Sequence, residues 1–250
     1  MMTNLLRPAI VGLLVLAADG ASAQTIDLGS LLPEGQASAS GRIVQMLLLL
    51  TVLSVAPGLL VTVTCFTRFV IALSFLRSGL GLPSTPSNLI LVSLALFMTL
   101  FVMAPTFERA WKDGVEPLVQ NQIDEREAMA RIAKPMREFM QANVRPKDVQ
   151  LFADLASRRP GGGAERPDGE LELRILVPAF MVSELRRGFE IGFLIVLPFL
   201  VIDLIVATVV MAMGMMMLPP TALSLPFKIL FFVLIDGWNL LAGGLIRSYG

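Results

Sequence analysis

The sequence contains no histidine and only one cysteine, Cys65, among its 250 residues. Without histidine the chain lacks the most common metal ligand and the usual general base of nucleophilic catalysis. With one cysteine it can form neither an intrachain disulfide nor a thiolate metal cluster. No Gly-x-x-x-x-Gly-Lys-Ser/Thr phosphate-binding loop occurs either. We therefore predict a protein that is not an enzyme and that uses no cofactor.

An excess of charge of either sign is also absent, since 20 Lys and Arg residues balance 20 Asp and Glu residues. The chain therefore lacks the basic field that attracts nucleic acid, and no nucleic-acid partner is expected. Hydrophobic residues make up 55% of the sequence and the mean hydropathy is +0.73. Such a composition predicts an all-α integral membrane protein, because helices satisfy their own backbone groups within lipid.

The N-terminus has the pattern of a secretory signal peptide. Arg7 precedes a short apolar run over residues 8–18, and Ala21 and Ala23 supply the small residues of a cleavage site. The alternative is an uncleaved first anchor, but this run is much shorter than the roughly 20 residues that span a bilayer. We therefore predict a cleavable signal peptide over residues 1–23.

Further along the chain, about four apolar segments are long enough to span a membrane. They are Ile43–Phe66, Leu89–Phe107, Ile175–Leu218 and Leu225–Ile246. Arg68 and Arg77 follow the first segment, and we expect them on a cytoplasmic turn because positive charges favour that side. The predicted organisation after the signal peptide is a periplasmic linker (24–42), a first helical hairpin (43–107), a small charged helical periplasmic domain (108–187) and a second hairpin (188–250).

Five ionisable residues of the second half lie in or beside apolar segments: Glu184, Glu190, Asp203, Lys228 and Asp236. Each costs at least about 2.5–3.5 kcal/mol at a bilayer centre unless it is paired or hydrated. Three explanations remain open: positions near the interface, an ion or proton pathway, and burial against charges on neighbouring subunits, which we favour. Glu184 and Lys228 have opposite signs and could pair across a helix or subunit boundary, whereas Asp203 and Asp236 have no evident cation.

Methionines cluster directly before Pro219, at Met211, Met213 and residues 215–217. Their flexible, polarizable side chains can repack around variable contents, which suits a soft closure or a promiscuous surface. Composition alone favours a simpler interpretation as a methionine-rich helix end. The neighbouring Gly214 and Pro219 favour a protruding loop.

The order of several motifs resembles the flagellar biosynthetic protein FliP family, a core component of the flagellar type III protein export gate. The motifs are Thr67-Arg68-Phe69-Val70-Ile71, Ala95-Leu96-Phe97-Met98-Thr99-Leu100-Phe101-Val102-Met103-Ala104-Pro105, Pro178-Ala179-Phe180, Ser183-Glu184-Leu185, Gly192-Phe193, Leu197-Pro198-Phe199-Leu200-Val201-Ile202-Asp203, Met213-Gly214-Met215-Met216-Met217, Leu225-Pro226-Phe227-Lys228 and Asp236-Gly237-Trp238. The resemblance implies a multi-pass protein of the bacterial inner membrane at the flagellar basal body. It also implies assembly of several copies, five as a rule, with FliQ and FliR, next to FlhB and FlhA, around a channel for unfolded flagellar subunits.

The same resemblance implies roles for particular residues. Met215, Met216 and Met217, with Met213, correspond to a gasket that closes the pore. Glu184 and Lys228 correspond to an ion pair between subunits.

Two further classes of protein remain as alternatives. The homologous injectisome export protein shares the core motifs but usually lacks a long leader and a sizeable outer domain. An ion or proton channel could use Asp203 and Asp236 as relay groups but would leave the methionines unexplained. An intramembrane aspartyl protease is disfavoured because neither aspartate follows a Gly-x-Gly pattern.

Overall fold

The computed structural model describes the chain almost continuously from residue 61 onward. It covers residues 46, 47, 50, 51, 54 and 58, and then residues 61–82, 84–158, 171–215 and 219–250. The predicted signal peptide with Ala21 and Ala23, the predicted linker (24–42), half of the first predicted span, and Met216 and Met217 lie outside the described residues. Regular secondary structure in the described part is entirely helical, so the predicted all-α fold is confirmed.

Eight α-helices follow one another from residue 66. They are α1 (Phe66–Leu80), α2 (Asn88–Ala110), α3 (Glu116–Val119), α4 (Glu125–Asn143), α5 (Pro146–Ser157), α6 (Leu173–Ala212), α7 (Pro220–Leu234) and α8 (Gly237–Arg247), with a π-helical turn (Trp111–Val115) between α2 and α3. Side-chain caps mark two starts, where Ser87 accepts a hydrogen bond from the Ile90 N–H and Asp124 accepts one from the Glu127 N–H. All eight helices belong to one compact unit, Leu53–Gly250.

Two helical stretches of the described chain are long and apolar enough to cross a membrane, Asn88–Val119 and α6. Helices α7 and α8 together form a third candidate, which bends by 63° between them. These stretches correspond to three of the four predicted spans. Because an α-helix rises about 1.5 Å per residue, the 40-residue α6 is about 60 Å long, twice the roughly 30 Å of a hydrocarbon core. Only part of α6 can therefore lie within lipid.

The most extensive contact between two helices of the described chain joins α1 and α6. The contact runs along Gly188 and Gly192, which have the Gly-x-x-x-Gly spacing that lets two helices approach closely. A Cβ atom added at Gly192 would lie 2.6 Å from the Phe75 ring, and one at Gly188 would lie 3.1 Å from Ile71. The absence of side chains on this face of α6 thus makes room for α1.

The charged part of the chain folds as short helices around the first half of α6. Helix α4 packs on α2 and on the π-helical turn, where a Cβ at Gly114 would come within 2.5 Å of Ile132. A small apolar cluster of Met140 and Phe180, with Phe139 against it, joins α4 to α6. Helix α6 runs without interruption through residues 187 and 188, where the predicted charged domain meets the second predicted hairpin.

Candidate functional site

The first candidate site is a buried ion pair between α1 and α6. The Arg68 Nε donates to Glu184 Oε2 at 3.0 Å, and the Arg68 Nη2 donates to Glu184 Oε1 at 2.5 Å. Both side chains are fully buried. Two parallel charge-assisted bonds of this kind are stronger and more directional than a single contact. This pair therefore fixes the position of α1 against α6.

Two residues that follow α8 complete the surroundings of this pair. The Arg68 Nη1 donates to the Ser248 carbonyl oxygen at 3.1 Å and to the Ser248 Oγ at 2.8 Å. The Tyr249 ring lies 3.6 Å from the guanidinium carbon, and the Tyr249 hydroxyl donates to Glu184 Oε2. Burial, and then the nearby Glu184 carboxylate, raise the pKa of Tyr249 above its ordinary value. The phenol therefore stays protonated and keeps its role as a donor.

A second ion pair, in which Lys228 is buried and Asp203 is partly buried, joins α6, α7 and the end of α1. The Lys228 Nζ donates to Asp203 Oδ2 at 2.6 Å and to the Gly79 carbonyl oxygen at 3.0 Å. The Ser224 hydroxyl donates to the other oxygen of Asp203 at 2.5 Å. Lys228 is only 3% exposed. Both carboxylate oxygens and the ammonium group thus have partners, which makes the burial of these charges tolerable.

The expectation that Asp203 lacks a cation is wrong, because Lys228 binds it within the same chain. A sequence signal for this pair existed. Asp203 lies 12 residues before Met215 and Lys228 lies 13 residues after it. An antiparallel hairpin that turns near Met215 therefore brings the two residues opposite each other.

The predicted pair of Glu184 and Lys228 joins residues of neighbouring subunits, and it stays a prediction. Within the chain each of the two already has another partner, Arg68 for Glu184 and Asp203 for Lys228. The interpretation of Arg68 as a turn residue is wrong, because Arg68 lies in the first turn of α1 and is fully buried. Local sequence gives no reason to separate it from Arg77, which lies at the other end of α1.

Asp236, like Glu190, is exposed, which distinguishes it from Glu184, Asp203 and Lys228. It lies between α7 and α8 in the left-handed region, with φ 49° and ψ 53°, which Asp tolerates better than most residues. Its carboxylate accepts a hydrogen bond from the Asn239 Nδ2 at 3.1 Å. Within the described ranges it forms no ion pair. Its position accounts for the bend between the two helices.

The methionine segment begins where α6 ends. Gly214 has φ 75°, and the Met215 N–H donates to the Val210 carbonyl oxygen at 3.2 Å, which closes the helix by a left-handed turn. Met213 is 67% exposed and Met215 is 37% exposed. Both line an apolar groove of about 560 Å³ between α6 and α7. The described part of the predicted gasket is therefore exposed, and its other two members, Met216 and Met217, lie outside the described residues.

Metal-binding groups do not gather in the described part of the chain. In residues 61–82, 84–158, 171–215 and 219–250, no three Asp, Glu or Cys side chains form a cluster that could hold a metal ion. Cys65 is buried, and its Sγ lies 4.0 Å from the Thr99 carbonyl oxygen. The chemistry of the described site is the pairing of buried charges.

The fold and the ion pairs define a helical membrane protein in which buried charges join apolar helices. Comparison with known proteins then gives the family. The FliP family profile matches residues 49–245. Proteins named flagellar biosynthetic protein FliP are 61% identical over 246 residues in Rhizobium meliloti strain 1021 (98% of this chain, 100% of that protein) and 66% identical over 212 residues in Agrobacterium fabrum strain C58 (85% and 86%). The corresponding protein of Bacillus subtilis strain 168 is 50% identical over 208 residues (82% and 91%). The chain belongs to the FliP family, as the resemblance of its motifs predicts.

Proposed function

We propose that the chain is a channel-forming component of the flagellar type III protein export gate, through which unfolded flagellar subunits cross the inner membrane. As a member of the FliP family, it is a component of the flagellar export apparatus. The observation that supports a channel-forming role is the exposure of Met211, Met213 and Met215 at the end of the long apolar helix α6. No catalytic step is part of the proposal.

The physical argument concerns what a pore closure must do. An export channel has to seal against small solutes and yet yield to chains of varied side chains. Methionine suits both tasks, because its unbranched thioether fills irregular gaps and changes rotamer easily. The left-handed turn at Gly214 ends α6 and changes the direction of the backbone immediately before Met215. Met215, Met216 and Met217, with Met213, would then meet the same residues of neighbouring copies at the pore.

Assembly is supported by the apolar side chains that the chain leaves uncovered. Large hydrophobic residues are exposed on both arms of the second hairpin, including Leu204 and Ile205 on α6 and Leu230 and Val233 on α7. We propose that further copies, five as a rule, and FliQ and FliR cover these faces, with FlhB and FlhA nearby. In this assembly the charged helices α3–α5 would face the periplasm. A contact between Glu184 and Lys228 of neighbouring subunits would add to the bonds that each residue already makes within its chain.

Deletion of the gene tests the flagellar role. We expect loss of swimming and of secretion of hook and filament subunits, and recovery of both with the intact gene. Normal motility together with lost delivery of proteins to host cells would instead move the chain to the injectisome branch. The names of the relatives favour the flagellar outcome.

Replacement of the three methionines Met215, Met216 and Met217 by alanine tests the gasket. We expect the complex to assemble and small solutes to leak through it, because alanine cannot fill the gap between neighbouring copies. Met129→Ala is a matched control, because Met129 is 69% exposed but lies on α4 in the charged region. Unchanged permeability in a correctly assembled triple mutant would count against the proposal.

The ion-channel alternative has less support. A relay needs carboxylates that are free to take up and release protons, and Asp203 is bound by Lys228 and Ser224. Asp236 lies at the exposed bend between α7 and α8. Proton conductance by the purified complex that is lost in Asp203→Asn would revive this alternative.

A further inference from the structure

Arg68 needs more acceptors than Glu184 provides. A guanidinium carries five N–H donors, and a carboxylate that binds it side-on satisfies two of them. Since Arg68 is fully buried, its remaining donors depend on protein acceptors. Ser248 supplies two, its carbonyl oxygen and its Oγ, both to Nη1. The segment after α8 thus supplies acceptors for two of the three N–H donors that Glu184 leaves.

Tyr249 covers the same site from another side. The centre of the Tyr249 ring lies 3.6 Å from the Arg68 Cζ, and the Tyr249 hydroxyl donates to Glu184. The ring also meets Phe69 of α1 edge-on at 5.7 Å and stacks against Phe139 of α4 at 5.9 Å. One side chain therefore contacts α1, α4 and α6.

We propose that Ser248 and Tyr249 form a latch that holds the Arg68–Glu184 ion pair closed and joins the apolar helices α7 and α8 to the charged region. Both are positioning residues, because they act through the ion pair. Through Tyr249, which contacts Glu184 of α6 and Phe139 of α4, the latch holds these two helices next to each other. Without these contacts the Arg68 Nη1 would lose both of its acceptors, and Glu184 Oε2 would keep only one of its two donors, in a buried site where water cannot replace them.

The chain contains its own reporter for this latch. Cys65 is the only cysteine, is 0% exposed and immediately precedes α1, whose first turn carries Arg68. Labelling of its thiol by a maleimide in membranes that contain the full chain measures how often this region opens. The readout does not depend on protein export, so it is separate from the channel proposal.

The decisive variant is Tyr249→Phe, which removes the hydroxyl and keeps the ring. Loss of a hydrogen bond to a charged group should raise the population of the open state, and with it the labelling rate, by about tenfold. Tyr249→Leu also removes the cation–π contact and should label faster still. Ser248→Ala keeps the carbonyl acceptor and should have the smallest effect.

The labelling measurement has two controls. Cys65→Ala gives the background of the reagent, and Arg186→Gln breaks an exposed ion pair with Glu190 on α6 without touching the latch. A faster labelling rate of Cys65 in Tyr249→Phe, with an unchanged labelling rate in Arg186→Gln, supports the latch. An unchanged rate in Tyr249→Phe overturns it, and this variant alone decides if Tyr249→Leu does not accumulate in the membrane.

Discussion

The partner of Glu184 can be identified by coupling energies. We consider Glu184→Gln, Arg68→Met and the double mutant, in the detergent-solubilised single chain. Removal of one member of a buried ion pair leaves an uncompensated charge, so each single mutant should lower the free energy of unfolding by about 3–5 kcal/mol. The double mutant should lose less than the sum by about 1–3 kcal/mol, since neither charge is then left alone. Part of the Arg68 loss stays uncoupled, because Arg68 also binds Ser248.

A second cycle, Glu184→Gln with Lys228→Met, is the matched comparison. Glu184 and Lys228 have separate partners within the chain. Their effects in the single chain should therefore add to within about 0.3–0.5 kcal/mol. A coupling energy between Glu184 and Lys228 that appears in the assembled complex but not in the single chain would support a contact between subunits. Asp203→Asn with Lys228→Met is the positive control, since these two residues bind each other.

The assay is unfolding of the solubilised chain, followed by tryptophan fluorescence, since Trp238 packs edge-on against Phe232 at 5.4 Å and should report loss of packing. Two results together would refute the reasoning. They are a coupling energy between Glu184 and Lys228 in the single chain, and additive losses of unfolding free energy for Glu184→Gln and Arg68→Met.

Three further predictions follow from the packing and the charges. Gly192→Ala should lower thermal stability, because its added Cβ would clash with a ring of α1, whereas Gly244→Ala, which has open space around it, should be neutral or stabilising. Ser224→Ala should cost about 1–3 kcal/mol of unfolding free energy because it removes a hydrogen bond to the charged Asp203, and denaturant unfolding measures this loss. Since burial raises the pKa of Tyr249, the only tyrosine, its contribution to stability is complete below the unfolded pKa of about 10 and is lost as the pH rises above it. Absorbance titration should accordingly show no tyrosinate near pH 10 in the folded chain, and ordinary titration there would contradict the burial.

Much of the fold could be predicted from composition and local signals. Long apolar runs indicate helices in lipid, and three of the four predicted spans have counterparts among the described helices. The position of Arg68 could not be predicted in this way. It and Arg77 belong to the same helix and flank the same apolar stretch, yet only one is fully buried. That difference arises from Glu184, which lies 116 positions away in sequence.

The boundary at residues 187 and 188 illustrates a different limit. Charge content changes there, and the sequence therefore places the boundary between the charged domain and the second hairpin at these residues. The backbone continues as one helix because hydrogen bonds between successive turns do not depend on whether the side chains face water or lipid. Gly188 has a packing role, since its missing side chain admits Ile71.

The two ion pairs have a common consequence, because they hold the two ends of the same helix. Glu184 binds Arg68 in the first turn of α1, and Lys228 binds the Gly79 carbonyl oxygen in the last turn, about 16 Å further along. The positive Lys228 at the C-terminal end also matches the helix dipole, whereas Arg68 at the N-terminal end opposes it and depends on its carboxylate partner. Movement of α1 against α6 and α7 would break the Arg68–Glu184 ion pair and the hydrogen bond from Lys228 to the Gly79 carbonyl oxygen. A conformational change that opens the proposed channel is therefore expected at the other end of the second hairpin, where Met211, Met213 and Met215 are exposed.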